Sequence, residues 1–175
     1  MRKSRVVLAF LCSFVFVCQA SSQNSSQKPR EALDTLSSSS EVYSFLFRSE
    51  LTHLLKSNHH ATVGKLFFLA IAGDRKSGIV GPGRKIADGL SDIPIEIADA
   101  SEFQWSDSVM WWLHRSTGRR GVDCFVHIRR WISARQAEAD VGVVFATEAG
   151  HSSKVLLKKG RKGWRIVRVI SSEVY

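Results

Sequence analysis

The chain has 175 residues, with 25 basic against 16 acidic side chains and a formal net charge of +9. That balance favours an anionic partner, such as polysaccharide, phospholipid headgroups or nucleic acid. Two of the three cysteines, Cys12 and Cys18, lie within a predicted leader that is removed on export. Cys124 would then be alone, which excludes an internal disulfide, and its apolar neighbours predict a small buried core residue.

The first 20 residues predict a signal peptide. A basic start (Arg2, Lys3 and Arg5) precedes the apolar run Val6–Val17, and small residues at the −3 and −1 positions mark a cleavage site after Ala20. Because the apolar run is too short to span a bilayer as a helix, a retained anchor is the less favoured alternative. We therefore expect a secreted or periplasmic protein with no transmembrane span after cleavage, and export argues against nucleic acid as its natural partner.

Residues 21–40 are rich in serine and glutamine and predict a disordered linker, which leaves 41–175 as a single domain. Ser38 and Glu41 have the spacing of a capping box, and the segment Glu41–Ser57 predicts an amphipathic helix. Its apolar stripe comprises Val42, Phe45, Leu46, Leu51, Leu54 and Leu55.

The middle of the chain predicts short elements. The apolar run Lys65–Ala72 predicts a buried strand, Gly73–Gly83 a loop, and Arg84–Leu90 a short helix. Alternation over Ile93–Ala98 predicts an edge strand or an extended segment, because Pro94 cannot donate to a ladder. A further strand is predicted over Val109–His114.

The stretch from Val122 to Val169 predicts a three-stranded antiparallel meander around which the domain is organised. In Val122–Ile132 the alternation places Cys124, Val126 and Ile128 on one face and Phe125, His127 and Trp131 on the other. Ala137–Ala146 repeats the pattern, Thr147–Ser153 predicts a turn, and Lys154–Lys158 leads through the glycines of Gly160–Gly163 to a closing strand over Trp164–Ile170. One apolar face of this sheet must be covered, and the predicted helix is the available cover.

Strands that follow one another after a helix predict an α+β fold, with a curved antiparallel sheet of about five or six strands packed on the main N-terminal helix. The arrangement resembles the nuclear-transport-factor-like (cystatin-like) cone, and more closely uncharacterised secreted bacterial proteins that end in the same manner. The residues that carry this resemblance are Trp131, the Ala137–Phe145 strand, the turn at Gly150 and the closing segment Lys158–Val167.

The resemblance implies a concave sheet face that opens into a pocket, where some relatives use a histidine and an aspartate as acid and base. In this sequence His127, Asp123 and Asp140 are the residues of those types in the meander. His127 and Asp123 are therefore the candidate catalytic pair, and a partly buried structural histidine is the alternative.

Two surface sites are also candidates. Trp111 and Trp112 are neighbours on a predicted strand and must face opposite sides, so one of them could bind a carbohydrate or protein beside Arg119 and Arg120. Basic residues cluster at the predicted hairpin tip: Lys158, Lys159, Arg161 and Lys162. No cofactor is expected, and the adjacent pair His59 and His60 lacks the spacing of a metal site.

These observations favour a non-enzymatic binding or interaction module of the envelope or extracellular space, with an anionic component or a protein as its partner. One alternative is a ligand carrier or acid/base enzyme with a small pocket at His127 and Asp123. The other is an electrostatic binder of anionic polymers that uses the basic residues of the hairpin tip.

Overall fold

A computed structural model describes residues 28–57, 62–74, 78–146 and 149–175. The predicted signal peptide, its cleavage site after Ala20, and the histidines His59 and His60 lie outside these residues. The described chain forms a mixed α+β domain with a six-stranded sheet and a helix near the N-terminus, which agrees with the predicted class. Within the described residues, no helix is long and apolar enough to cross a membrane.

The elements follow one another along the chain with short connections. In order they are α1 (Lys28–Ser57), β1 (Leu66–Ala70), β2 (Ala72–Asp74), β3 (Gly78–Val80), α2 (Arg84–Asp88), β4 (Glu96–Ala98), β5 (Phe103–Ser106), β6 (Trp111–His114), β7 (Gly121–Ser133), β8 (Gln136–Ala146), β9 (Ala149–Gly160) and β10 (Gly163–Val174). The segment predicted as a loop over Gly73–Gly83 therefore includes a small hairpin, β2–β3, and β5 was not predicted at all.

Helix α1 is the main cover of the sheet, as its apolar stripe predicts. Five of its side chains recur at intervals of one to four residues and are at most 4% exposed: Val42, Leu46, Phe47, Leu51 and Leu54. The helix begins at Lys28, well before the predicted start at Glu41, so it includes residues 28–40 of the segment predicted as a linker. Burial of this stripe against the sheet is the principal source of stability for such a helix.

The central sheet is mixed, which corrects the prediction of a purely antiparallel one. Its strand order is β10-β9-β8-β7-β1-β4, and β1 pairs in parallel with both β4 and β7. All five residues of β1 are buried, so this strand needs neighbours on both sides and cover on both faces. The long connections from β1 to β4 and β7 are crossovers, which allow parallel pairing where a tight hairpin would not.

The C-terminal meander has four strands, one more than predicted. The segment Ala149–Gly160 is a continuous strand, where we expected a turn over Thr147–Ser153 followed by a short apolar segment. The β9–β10 hairpin turns through two residues between Gly160 and Gly163, and only Gly163 takes a positive φ, of 107°. This turn chemistry agrees with the predicted hairpin.

A β-bulge in β7 corrects the predicted side-chain faces of that strand. The pairing with β8 shifts between Ile128 and Arg130, so one extra residue is inserted there. Beyond the bulge Trp131 lies on the helix side, where it packs against the main core with its ring 5.7 Å from that of Trp164. His127 and Trp131 therefore lie on opposite faces of the sheet.

The two faces of the sheet are covered differently. The helix side carries the main core, which includes the predicted buried cysteine, Cys124. On the other side the β5–β6 hairpin covers only β1 and the start of β7, through a smaller cluster of Leu66, Phe68, Ala70, Phe103 and Trp112. No helix of the described ranges lies over the remainder of that side, which is formed by β7 to β10. We call it the outer face.

Candidate binding surface

The register of the meander fixes which side chains share the outer face. Val155 and Leu157 are buried on the helix side, so Lys154, Leu156 and Lys158 point outward from β9. The ladders then align the outer-face residues in rows across the strands: Gln136, Lys158 and Arg165; Arg130, Glu138, Leu156 and Arg168; His127, Asp140, Lys154 and Ser171; Phe125, Gly142, Ser152 and Glu173.

One end of the outer face is strongly basic. Lys158 on β9 lies directly opposite Arg165 on β10, and Arg168 follows two residue pairs further along the ladder. Arg161 and Lys162 form the turn that joins the two strands. We call these five exposed residues the basic cluster. Facing side chains on one sheet face have their Cβ atoms about 5 Å apart, so the Lys158–Arg165 pair brings two positive charges together at a cost in stability.

The basic cluster has no neutralising partner within the part of the chain that the structure describes. Among the described residues, none of its five members forms an ion pair, and the nearest outer-face acid, Glu138, is held by Arg130 at 2.8 Å. The neighbouring Lys159 is different, because alternation turns it to the helix side, where its ammonium group pairs with Glu41. The four basic residues predicted at the hairpin tip are thus divided, and Lys159 does not join the surface of the other three.

Sequence reasoning missed two members of this cluster, Arg165 and Arg168. The closing strand was recognised from its apolar residues, and the arginines between them were left without a role. The alternation of Arg165 with Trp164 and Ile166 was the available signal for that residue, since it places Arg165 on the face that the core does not use. The bulge at Val167 could not be anticipated, and it is what keeps Arg168 on the same face as Arg165.

The candidate pair His127 and Asp123 is not assembled as an acid and a base. Both residues lie on the outer side of β7, but Phe125 stands between them, so they are about 13 Å apart along the strand. Proton transfer between two groups requires hydrogen-bond distance or one bridging water. His127 is exposed at the edge of a cavity of about 320 Å³ that Arg129, Asp140 and Lys154 also line.

Asp123 is enclosed rather than presented to a ligand. One of its carboxylate oxygens is buried without a hydrogen-bond partner among the described residues, and burial raises the pKa of this carboxyl to about 7. Asp140, the other acid near His127, forms an ion pair with Arg129. The carboxylate directly opposite His127 on the outer face, that of Asp140, is therefore already engaged.

Both tryptophans of the predicted surface pair are buried. Trp111 is 7% exposed and donates its indole N–H to the carbonyl oxygen of Gly121 across 2.6 Å, and Trp112 is 8% exposed within the smaller cluster. The expectation that one of them faces solvent is therefore wrong, because the β5–β6 hairpin folds this segment onto β1. Arg119 is engaged by Glu96 through two bonds of 2.8 Å, while Arg120 is exposed.

A second cavity, of about 400 Å³, lies between α2, β4 and β6. Its histidine, His114, is held at both ring nitrogens, by Glu102 at 2.7 Å and by Thr117 at 3.0 Å. Asp99 in the same cavity accepts from the backbone and hydroxyl of Ser101, which lowers the pKa of that carboxyl. These polar groups satisfy one another, and such a network stabilises the loops around the cavity.

No group of three or more histidine, cysteine or acidic side chains within the described ranges is arranged to hold a metal ion. Comparison of the chain with protein-family models, with curated proteins and with solved structures finds no match.

Proposed function

We propose that this protein is a non-enzymatic binding module of the envelope or extracellular space, and that the basic cluster on its outer face binds an anionic polymer such as an acidic polysaccharide. The observation that carries the proposal is the direct opposition of Lys158 and Arg165 on one sheet face, extended by Arg168 and the hairpin turn. Like charges in that arrangement repel, and a bound polyanion removes the repulsion.

The shape of the surface supports a polymer rather than a small ligand. The basic cluster lies on an exposed turn and on a part of the sheet that no described element covers or encloses, whereas small-molecule sites are concave and mostly apolar. An extended polyanion can contact several separate cations at once and releases its own counterions as it does so. The binding free energy then depends steeply on salt concentration.

The test uses heparin as the polyanion and dextran as an uncharged polymer, with affinity measured by calorimetry at several salt concentrations. We expect the wild-type protein to bind heparin and not dextran. The triple variant K158Q/R161Q/K162Q should bind at least tenfold more weakly. The slope of its plot of log affinity against log salt should be less negative by roughly two to three.

The matched control is K65Q/K85Q/R115Q, which removes the same number of charges from exposed positions elsewhere on the chain. We expect it to bind heparin within about twofold of wild type. Equal losses in both triple variants would mean that only net charge matters, and absence of heparin binding by the wild type would overturn the proposal. A small molecule that copurifies with the protein, detected by native mass spectrometry, would favour the cavity at His127 instead.

A further inference from the structure

Strand β10 is a long sheet edge with apolar side chains on its surface. Among the described strands it pairs only with β9, and its twelve residues extend for about 40 Å. Four of its aliphatic side chains are exposed over 37 to 55% of their area: Ile166, Val167, Val169 and Ile170. The opposite edge, β4, has only three residues.

Such an edge offers a row of unpaired backbone N–H and C=O groups to another strand. Proteins usually protect a long edge with charges, proline, bulges or a covering element. Here the described chain places no helix over β10, and the protection consists of three charged side chains and two bulges, at Val167 and Ile170. An exposed edge with this apolar content is typical of a strand that pairs with a partner.

We infer that β10 pairs with β10 of a second copy of this chain, antiparallel and about a two-fold axis at Val169, to give a symmetric dimer with one continuous sheet. This inference does not rest on the proposed function. The argument for a second copy is charge complementarity along the strand itself. Arg165 lies toward one end of β10 and Glu173 toward the other, and Val169 is midway between them.

The bulges preserve this symmetry. Each half of the strand contains one bulge. Counted in residue pairs along the β9–β10 ladder, Arg165 lies three pairs from Val169 in one direction and Glu173 lies three pairs from it in the other. Both charged side chains lie on the outer face, because they are opposite Lys158 and Ser152 of β9. Antiparallel pairing about Val169 therefore places each Arg165 directly opposite Glu173 of the other copy, on the same face of the joint sheet.

The dimer gives Arg165 an acidic partner, which the described part of its own chain does not supply. Glu173 of the second copy would lie on the side of Arg165 away from Lys158 and would offset the repulsion between those two cations. A two-fold axis perpendicular to the sheet keeps both outer faces on one side. Lys158, Arg161, Lys162 and Arg168 of each copy then remain available, and the proposed polyanion would meet two basic surfaces at once.

The test is a charge swap followed by sedimentation equilibrium on the full chain, with a Kd for self-association measured for each variant. We expect the wild type to sediment at twice the mass of a single chain. R165E and E173R should each weaken self-association at least tenfold, since each places like charges opposite one another at two symmetric positions. The double variant R165E/E173R should restore it to within about threefold of wild type.

Restoration by the swap is specific to a symmetric pair, because an unrelated partner strand carries no compensating change. A wild-type protein that is monomeric at 100 µM overturns the inference, as does a double variant that stays monomeric or a pair of single variants that still form the wild-type dimer. Circular dichroism of each variant, with R115E as the control at an exposed site elsewhere, establishes that a monomeric species is folded. A failure here leaves the heparin test unaffected, since the residues changed there lie in β9 and its turn.

Discussion

The indole nitrogen of Trp164 donates a hydrogen bond of 3.2 Å to the carboxylate of Glu41, which joins the closing strand to helix α1. The ammonium group of Lys159 pairs with the same carboxylate. One acidic side chain of helix α1 thus contacts two residues of the β9–β10 hairpin that lie more than 100 positions further along the chain. Lys159 first, and Trp164 second, hold the pKa of Glu41 below its usual value.

Replacing Glu41 with alanine should destabilise the fold modestly. The side chain of Glu41 is 47% exposed, so solvent screening limits the loss to about 0.5–1 kcal/mol. Urea unfolding followed by tryptophan fluorescence measures it. Lys56→Ala, at an exposed position on the same helix, should change stability by less than about 0.5 kcal/mol. Equal effects of the two substitutions would show that the Glu41 contacts contribute nothing.

Asp123→Asn should stabilise the protein at neutral pH. Burial raises the pKa of Asp123 to about 7, and one of its oxygens has no partner among the described residues. The folded state therefore retains its proton where the unfolded chain has lost it, and the wild-type stability falls as pH rises from about 4 to 7. Asparagine carries no charge, so the gain at pH 7.5 should be on the order of 3 kcal/mol.

Denaturant unfolding of the wild type and Asp123→Asn at pH 4.5 and 7.5 tests this difference. The control is Asp88→Asn, which changes an exposed carboxyl and should leave the pH dependence of the wild type intact. If the asparagine variant shows no larger advantage at pH 7.5 than at pH 4.5, Asp123 is not buried as a carboxyl in solution.

His151 should contribute stability that is lost in alkaline solution. Its imidazole bonds to Glu50 of helix α1, and this contact raises the pKa of the histidine above 6.5. A raised folded-state pKa means that the contribution is complete below pH 6.5 and disappears as pH rises through the folded-state value. His151→Gln should therefore cost stability at pH 5.5 and much less at pH 8.5.

The measurement is the free energy of unfolding of both proteins at the two pH values. His53→Gln is the matched control, because His53 is an exposed histidine of the same helix. It should show no difference between the two conditions. A cost of His151→Gln that is equal at pH 5.5 and 8.5 would contradict the charged contact with Glu50.

Gly142→Ala should be strongly destabilising. A Cβ atom at this position would lie 2.2 Å from the backbone oxygen of His151 and 2.9 Å from the ring of Phe125. The closer contact cannot be relieved by moving a side chain, because the oxygen of His151 belongs to the backbone of β9. We expect a loss of more than about 2 kcal/mol, read from a lower Tm.

Gly160→Ala provides the comparison, since the nearest atom to its added Cβ is 3.8 Å away. It should change stability by less than about 1 kcal/mol. Similar melting temperatures for the two alanine variants would mean that β8 and β9 separate easily at Gly142.

Local sequence patterns determined the parts of this fold that depend on neighbouring residues. Period-two alternation located β7 and β8, the glycines located the β9–β10 hairpin, and the apolar stripe located the buried face of α1. The proline in Ile93–Ala98 correctly indicated an edge strand. Net charge indicated an anionic partner, which stays a prediction.

Tertiary structure alone decided how these elements meet. Parallel pairing of β1 with β4 and β7 depends on crossovers between distant segments, and no local pattern records it. The bulge before Arg130 moved Trp131 to the helix side, and the β5–β6 hairpin buried Trp111 and Trp112.

The basic cluster depends on both levels. Its residues are visible in the sequence, but their assembly on one face depends on the register between β9 and β10, which places Arg165 opposite Lys158. In a two-residue hairpin the turn fixes the register, so the turn at Arg161 and Lys162 already implies this facing pair. The bulge at Val167, which adds Arg168 to the same face, is a property of the folded sheet. Alternation indicated the face of each charge only as far as the bulge, and the folded sheet decided the face and the neighbours of the charge beyond it.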